Sequence, residues 1–264
     1  MNTHASMLLH AGIDNALFQL EQVLPAYAAG ALTEPHHPHA IAVLFRKLGA
    51  CRLLTTGEAE PLLRAHNQSV SAYLHRLPRM ADDDKVTSRA GVLWDAIGGG
   101  YWDAAVDIAR HSRSTVNPAW EHEDDFLYVW FLMTRYLLGD GGLEAEAQQR
   151  VLLERWDTIL GGSHDPRRWL CDALLQRDAR AFHAAFEEVG DAREAALRQQ
   201  LHRGRLPEDD AVWSLPLWLE GLALLRLAER DGLPTDAHCS GVPEVLRGHG
   251  DRAYEAGAWR WPRA

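Results

Sequence analysis

Three histidines, His36, His37 and His39, stand within the run Glu-Pro-His-His-Pro-His. Imidazoles this close together suit a transition metal. Prolines on both sides favour an extended loop, however, and no second ligand set accompanies them, so no metal site is expected. Glu121, His122, Glu123, Asp124 and Asp125 form the densest acidic cluster. Carboxylates beside a histidine suit metal binding or proton transfer. They equally suit the positive end of a helix dipole, or a surface patch for a basic partner. Asp82, Asp83 and Asp84, and again Glu208, Asp209 and Asp210, pose the same choice. Glu220 is the one charge inside the apolar stretch Leu217 to Leu225. A carboxylate placed there needs an arginine or several donors, because unpaired burial is costly. A structural ion pair is expected.

His164-Asp165 invites a sharper reading. Such a pair is a metal-binding feature of one all-helical class of phosphohydrolases, whose site needs further histidines and aspartates on neighbouring helices. His111 and His122 are available by type. Yet Asp165 directly precedes Pro166, where helix capping accounts for it. Glycine-rich phosphate loops, nucleophile elbows and His-Glu-x-x-His are missing from the sequence. No catalytic residue and no cofactor are expected.

The elements that must position these groups read as helices. Val-Ile-Thr clusters and hairpin dipeptides are scarce, while Ala, Leu, Arg and Glu abound. Ile13, Leu17, Leu20, Val23 and Leu24 predict a helix over about 11–29, and Ile41, Leu44, Phe45, Leu48 and Cys51 a second over 39–55. A third covers 58–77 and stops at Pro78. A fourth is expected to start on Asp82 to Asp84 and end at Gly98 to Gly100, followed by a short helix over 101–111. Phe126 to Leu138 is apolar on nearly every face and should be the buried centre. Further helices follow over 143–160, from Pro166 to Leu175, from Asp178 past Val189, and near Glu208 to Trp213. Pro216 should open the last strong one, closed by Gly232 and Pro234. Trp259 and Trp261 are expected to dock on the body. The architecture implied is a single all-α domain over 1–264. It holds roughly ten packed antiparallel helices, which could stack as αα-hairpins.

Composition narrows the function classes. The 264 residues carry a net charge of −10, shared equally between the two halves. Direct nucleic-acid binding would need a basic face. Three widely spaced cysteines suggest neither a disulfide framework nor a zinc site. Met1 to Leu9 lacks the basic segment and apolar core of a signal peptide, so none is expected, and the longest apolar run of 13 residues is too short to span a bilayer. A cytoplasmic protein is expected. The ten tryptophans should mostly fill gaps between helices.

The last third carries a more specific signal. It reads Asp165-Pro-Arg-Arg-Trp-Leu, then Ala181-Phe-His-Ala-Ala-Phe-Glu-Glu. The helix ending Leu-Ala-Leu-Leu-Arg-Leu-Ala-Glu-Arg-Asp-Gly-Leu-Pro follows, closing at Pro234. This stretch resembles the Imm49 family of immunity proteins from bacterial polymorphic toxin systems, most closely over about 165–246. Upstream, the Leu62 to Leu77 segment is comparable. Immunity proteins carrying DUF1910 and DUF1911 segments end similarly. The resemblance implies a cytoplasmic antitoxin that binds a cognate toxin and blocks it, with no catalytic motif. The toxin-facing residues expected first are Glu121, Glu123, Asp124 and Asp125, then Asp82, Asp83, Asp84, Glu208, Asp209 and Asp210. A metal-dependent hydrolase built on His164 and Asp165 is one alternative, and a helical scaffold for a non-toxin partner is the other.

Overall fold

The computed structural model describes residues 3–139 and 142–260. Eleven α-helices account for most of it: α1 (Thr3–Ala28), α2 (His37–Thr56), α3 (Glu60–Arg76), α4 (Gly91–Gly99), α5 (Trp102–His111), α6 (Glu123–Met133), α7 (Leu143–Leu160), α8 (Pro166–Gln176), α9 (Ala179–His202), α10 (Glu208–Ser214) and α11 (Leu219–Arg230). No named strand occurs among the described residues, where the β pairing consists of one isolated bridge between Cys239 and Val242. The protein is an all-α domain.

Local signals set most of the helix ends. The Asp165 side chain accepts a hydrogen bond from the Arg167 backbone N–H, with Pro166 at the first helical position. Asp178 caps α9 through the Ala181 N–H. Gly57, Gly100 and Gly161 close α2, α4 and α7 in the left-handed conformation. Two predicted starts are wrong. Asp82 to Asp84 form a single 3₁₀ turn, and α4 begins nine residues after Asp82, at Gly91. Tertiary tethers hold the intervening chain in a non-helical turn: the Asn117 amide donates to the Asp83 and Lys85 carbonyls, and the Thr87 hydroxyl to the Arg113 carbonyl. Likewise α11 opens at Leu219 instead of Pro216. The Trp218 N–H is drawn away to the Gly241 carbonyl at 2.6 Å, which breaks the chain into a turn there.

The packing centres on α2 against α3, with α1 covering α2 and α4 wedged between α3 and α11. Gly49 makes the α2–α3 approach possible. A Cβ on it would run into the Ala65 methyl and lie 3.0 Å from the Leu62 Cα. Backbone on the far side cannot yield cheaply. Gly49→Ala is therefore expected to cost about 1–3 kcal/mol despite its better helix propensity, read as a lower urea midpoint. The larger core joins α2 to α11 and includes Trp156 and Phe131, both fully buried. Phe126 to Val129 and Phe131 to Met133 are buried as the apolar run predicts, although a π-helical turn over 134–138 ends α6 early.

A second, smaller core gathers Leu20, Tyr27, Phe45 and Trp259 between α1, α2, α3 and the C-terminal tail. Trp259 docks as expected, its ring 5.3 Å from Tyr27. Trp261 lies outside the described residues. The tail is held by polar groups of α3: Ser71 Oγ accepts from the Gly257 N–H, and Asn67 Oδ1 from the Glu255 N–H. His66, Asn67, Gln68, Ser69 and Ser71 are all buried, in a stretch whose residue types read as solvent-facing. Trp94, Trp156, Trp218 and Trp259 are buried, whereas Trp120 and Trp169 are more than half exposed.

Candidate functional site

The acidic clusters are mostly occupied by the protein's own cations and backbone. Glu121 accepts the Asn117 N–H on one oxygen and the Ser88 N–H on the other, both at 2.8 Å, stapling two loops. Glu123 pairs with Arg155. Arg167, at the start of α8, gathers Asp125 at 2.6 Å, Asp124 at 3.1 Å and Asp165 at 2.8 Å. Its guanidinium also lies over the Tyr128 and Trp156 rings. Asp83 meets Arg113 at 2.9 Å, and Asp82 lies 3.6 Å from Lys85. Lys47 on α2 binds Asp209 and Asp210 of α10 at 2.7 and 2.8 Å. Glu208 is exposed, 3.8 Å from His4. Asp84 has no side-chain partner among the described residues and faces a shallow cleft with Trp120 and His36.

The candidate metal ligands do not converge. His164 turns to Glu188 at 2.7 Å, while Asp165 serves its helix cap and Arg167. Among the described residues no three His, Cys, Asp or Glu side chains sit together as a metal would need. This includes His36, His37 and His39. Nor is there an activated thiol. Burial pushes Cys51 up to about 11, lifts Cys171 well above the ordinary thiol range, and raises Cys239 as well.

The structure instead assembles a groove along one flank of α9. Two adjoining clefts of about 550 and 180 Å³ share Trp94, Arg193 and Glu220. Val189, Ala192, Arg193, Ala196 and Leu197, at helical spacing, form the α9 wall. The facing wall comes from α4, α6, the start of α8 and the turn before α11. The Arg193 guanidinium holds that turn by donating to the carbonyls of Ser214 and Leu217. Gly221 lets the Trp218 ring fold back over the start of α11, where a Cβ would collide with the indole.

Glu220 does not enter the expected ion pair. Among the described residues it has no cation within salt-bridge distance. Its carboxylate accepts the Tyr128 hydroxyl at 2.7 Å. Burial raises the Glu220 carboxyl above its ordinary range, although Tyr128, Arg167 and Arg193 act in the opposite sense. Burial also lifts the Tyr128 phenol well above its ordinary value. Glu220 and Tyr128 thus form one hydrogen-bonded pair on the groove wall. They offer hydrogen-bonding handles in a groove where aromatic and apolar side chains alternate with Arg46, Asp125, Asp165, Arg167 and Arg193, a composition that suits a recognition site.

No family model, curated protein or solved structure matches the chain.

Sequence reading missed this groove because its members are scattered over seven helices. One signal was available. Val189 is the last buried residue of α9, and the helix continues 13 residues further with polar and alanine-rich sequence. A helix face beyond the core anchors is open to solvent or to a partner.

Proposed function

We propose that this protein is a cytoplasmic immunity protein that neutralises a cognate toxin by stoichiometric occlusion, with a segment of the toxin lying in the groove beside α9. The observation that carries this reading is the half of α9 beyond Val189, which has no fully buried residue, flanked by a groove with aromatic and charged walls. The segment that resembles the Imm49 family, about 165–246, contains α8, α9, α10 and α11, which supply much of the groove. The self-paired acidic clusters make poorer anchors, since a partner would first have to break ion pairs already made. Aromatic side chains such as Trp94 and Trp213 are the usual centres of binding energy.

Two tests follow. Co-expression with the product of the adjacent gene should yield a complex and protect cells that the neighbour alone kills. Equal death with and without this protein would refute the proposal, and a stable complex with a harmless neighbour would favour the scaffold reading. Second, Ala192 and Ala196 are exposed on the groove wall. Ala192→Arg with Ala196→Arg should leave thermal unfolding unchanged. It should weaken toxin binding by about 100-fold or more by blocking the groove, measured by titration calorimetry.

A further inference from the structure

The opposite flank of α9 borders a second, more enclosed cavity of about 280 Å³. That is just below the range of about 300–1,000 Å³ typical of drug-sized ligands, and it suits a single long side chain. Its floor is aromatic. Phe186 and Trp218 lie with ring centroids 4.6 Å apart at 34°. Gly190 admits the indole against α9, since a Cβ there would sit 3.0 Å from Trp218 Cζ3. The far wall is the turn from Asp236 to Gly241, held by the Trp218 N–H to the Gly241 carbonyl and by His183 Nε2 against the Pro234 carbonyl.

Glu187 and Asp191 stand on the α9 wall, one turn apart. Neither makes a hydrogen bond or ion pair with another described residue, and both are exposed. Apart from Asp84, the acidic runs of the sequence mostly have partners of their own. Asp83 has Arg113, Glu123 has Arg155, Asp124 and Asp125 have Arg167, and Asp209 and Asp210 have Lys47. Within the cavity itself, Glu194 is paired with Arg198, and Asp236 lies 3.6 Å from His183. The Arg193 guanidinium, which also borders the cavity, is bonded to the Ser214 and Leu217 carbonyls. Like charges four residues apart weaken a helix. A pair retained over an aromatic-floored cavity has the form of a receptor for a cation.

We infer that this cavity receives an arginine side chain of the partner protein. A guanidinium stacks on an aromatic floor and presents a planar fork to two carboxylates, which a compact ammonium does less well. The inference rests on the reading of the protein as an inhibitor of another protein, but its chemistry is testable alone.

The probe is N-acetyl-arginine methylamide, with the neutral citrulline analogue as control, titrated by NMR on the full chain. The arginine probe should shift resonances of Gly190, Glu187 and the Trp218 indole with millimolar affinity, while the citrulline analogue leaves them in place. Glu187→Gln with Asp191→Asn should weaken binding about tenfold or more. Both residues are exposed, so an unchanged melting curve establishes that the variant is folded. Equal response to the two probes, no response to arginine, or full binding by the double variant would each overturn the inference. A variant that neutralises the toxin as well as the native protein, together with no probe binding, removes the cavity and leaves the proposed function standing. Probe binding in a protein that protects no cell removes the proposed function and leaves the cavity.

Discussion

Replacing Asp95 with alanine is expected to destabilise the protein by about 3–5 kcal/mol, the usual cost of breaking a buried ion pair by removing one member. Asp95 on α4 has no exposed surface, and the Arg46 side chain is 12% exposed. Arg46 reaches it bidentately, Nε and Nη2 each at 2.8 Å, and Ser69 Oγ adds a third donor at 2.6 Å. Burial pushes the Asp95 carboxyl up, yet Arg46, His66 and Ser69 outweigh it and hold the group below its ordinary range. The pair ties α2, α3 and α4 together beneath one end of the α9 groove. Gly91 leaves room for it, because a Cβ there would press on the Arg46 guanidinium at 2.7 Å. Alanine at Asp95 strands that cation. Changing both partners, Arg46→Met with Asp95→Leu, should recover most of the loss, because two apolar groups leave no charge behind. A urea double-mutant cycle measures this. Single and double variants of equal stability would show that the pair contributes no coupling.

Acidification should weaken the protein between pH 6.5 and 4, and His66 is the main reason. The side chain is fully buried on α3, its two ring nitrogens lack hydrogen-bond partners, and its Nε2 lies 3.6 Å from Asp95. Burial is the largest influence and lowers its pKa to about 4. The Asp95 charge opposes this, while Arg46 and Arg226 reinforce it. In the unfolded chain histidine takes up its proton near pH 6.5. Across the interval the unfolded state therefore binds more protons than the folded one, so stability rises with pH and falls as pH is lowered. The span corresponds to about 3 kcal/mol at pH 4 relative to neutrality, at 1.36 kcal/mol per pH unit. His39, lowered by burial to about 4, adds in the same direction. Below about pH 4 a separate loss begins, because an aspartate in the unfolded chain takes up its proton before the depressed Asp95 of the folded protein does. His66→Leu should flatten the upper part of the profile, leaving the His39 contribution. It should also cost little at pH 7, because the ring gives up no hydrogen bond. Denaturant midpoints measured from pH 4 to pH 8 decide this. A variant with the native slope would assign the effect elsewhere.

Both effects arise in a layer that also shapes function. Arg46 and Gly91 border the groove beside Trp94, and α4 rests on α11, the helix that carries Glu220. Loss of the Arg46–Asp95 tie should thus loosen the groove wall before the molecule unfolds globally. The wall it would loosen faces α9, whose outer half has no buried residue to steady it.

The sequence by itself determined what depends on neighbours a few residues away. Capping by Asp165 and Asp178, left-handed glycines such as Gly57 and Gly161, and the apolar period of α1, α2 and α11 are all local, and the all-α fold follows from them. Local rules failed at Asp82 to Asp84 and at Pro216, where distant backbone competed for the same hydrogen bonds. What only the tertiary structure decided was the state of each carboxylate. Asp209 and Lys47 are 162 residues apart in the chain and 2.7 Å apart in space. Nothing in either neighbourhood announces that pairing. The same holds for Asp124 with Arg167 and for Glu220 with Tyr128. Acidic runs read as binding patches along the chain, but in three dimensions most are already satisfied. Glu187 and Asp191, inconspicuous in sequence, are left without a cation. Electrostatic energy depends on distance and burial, which chain order does not encode, so the surface available to a partner becomes visible only after folding has paired the rest.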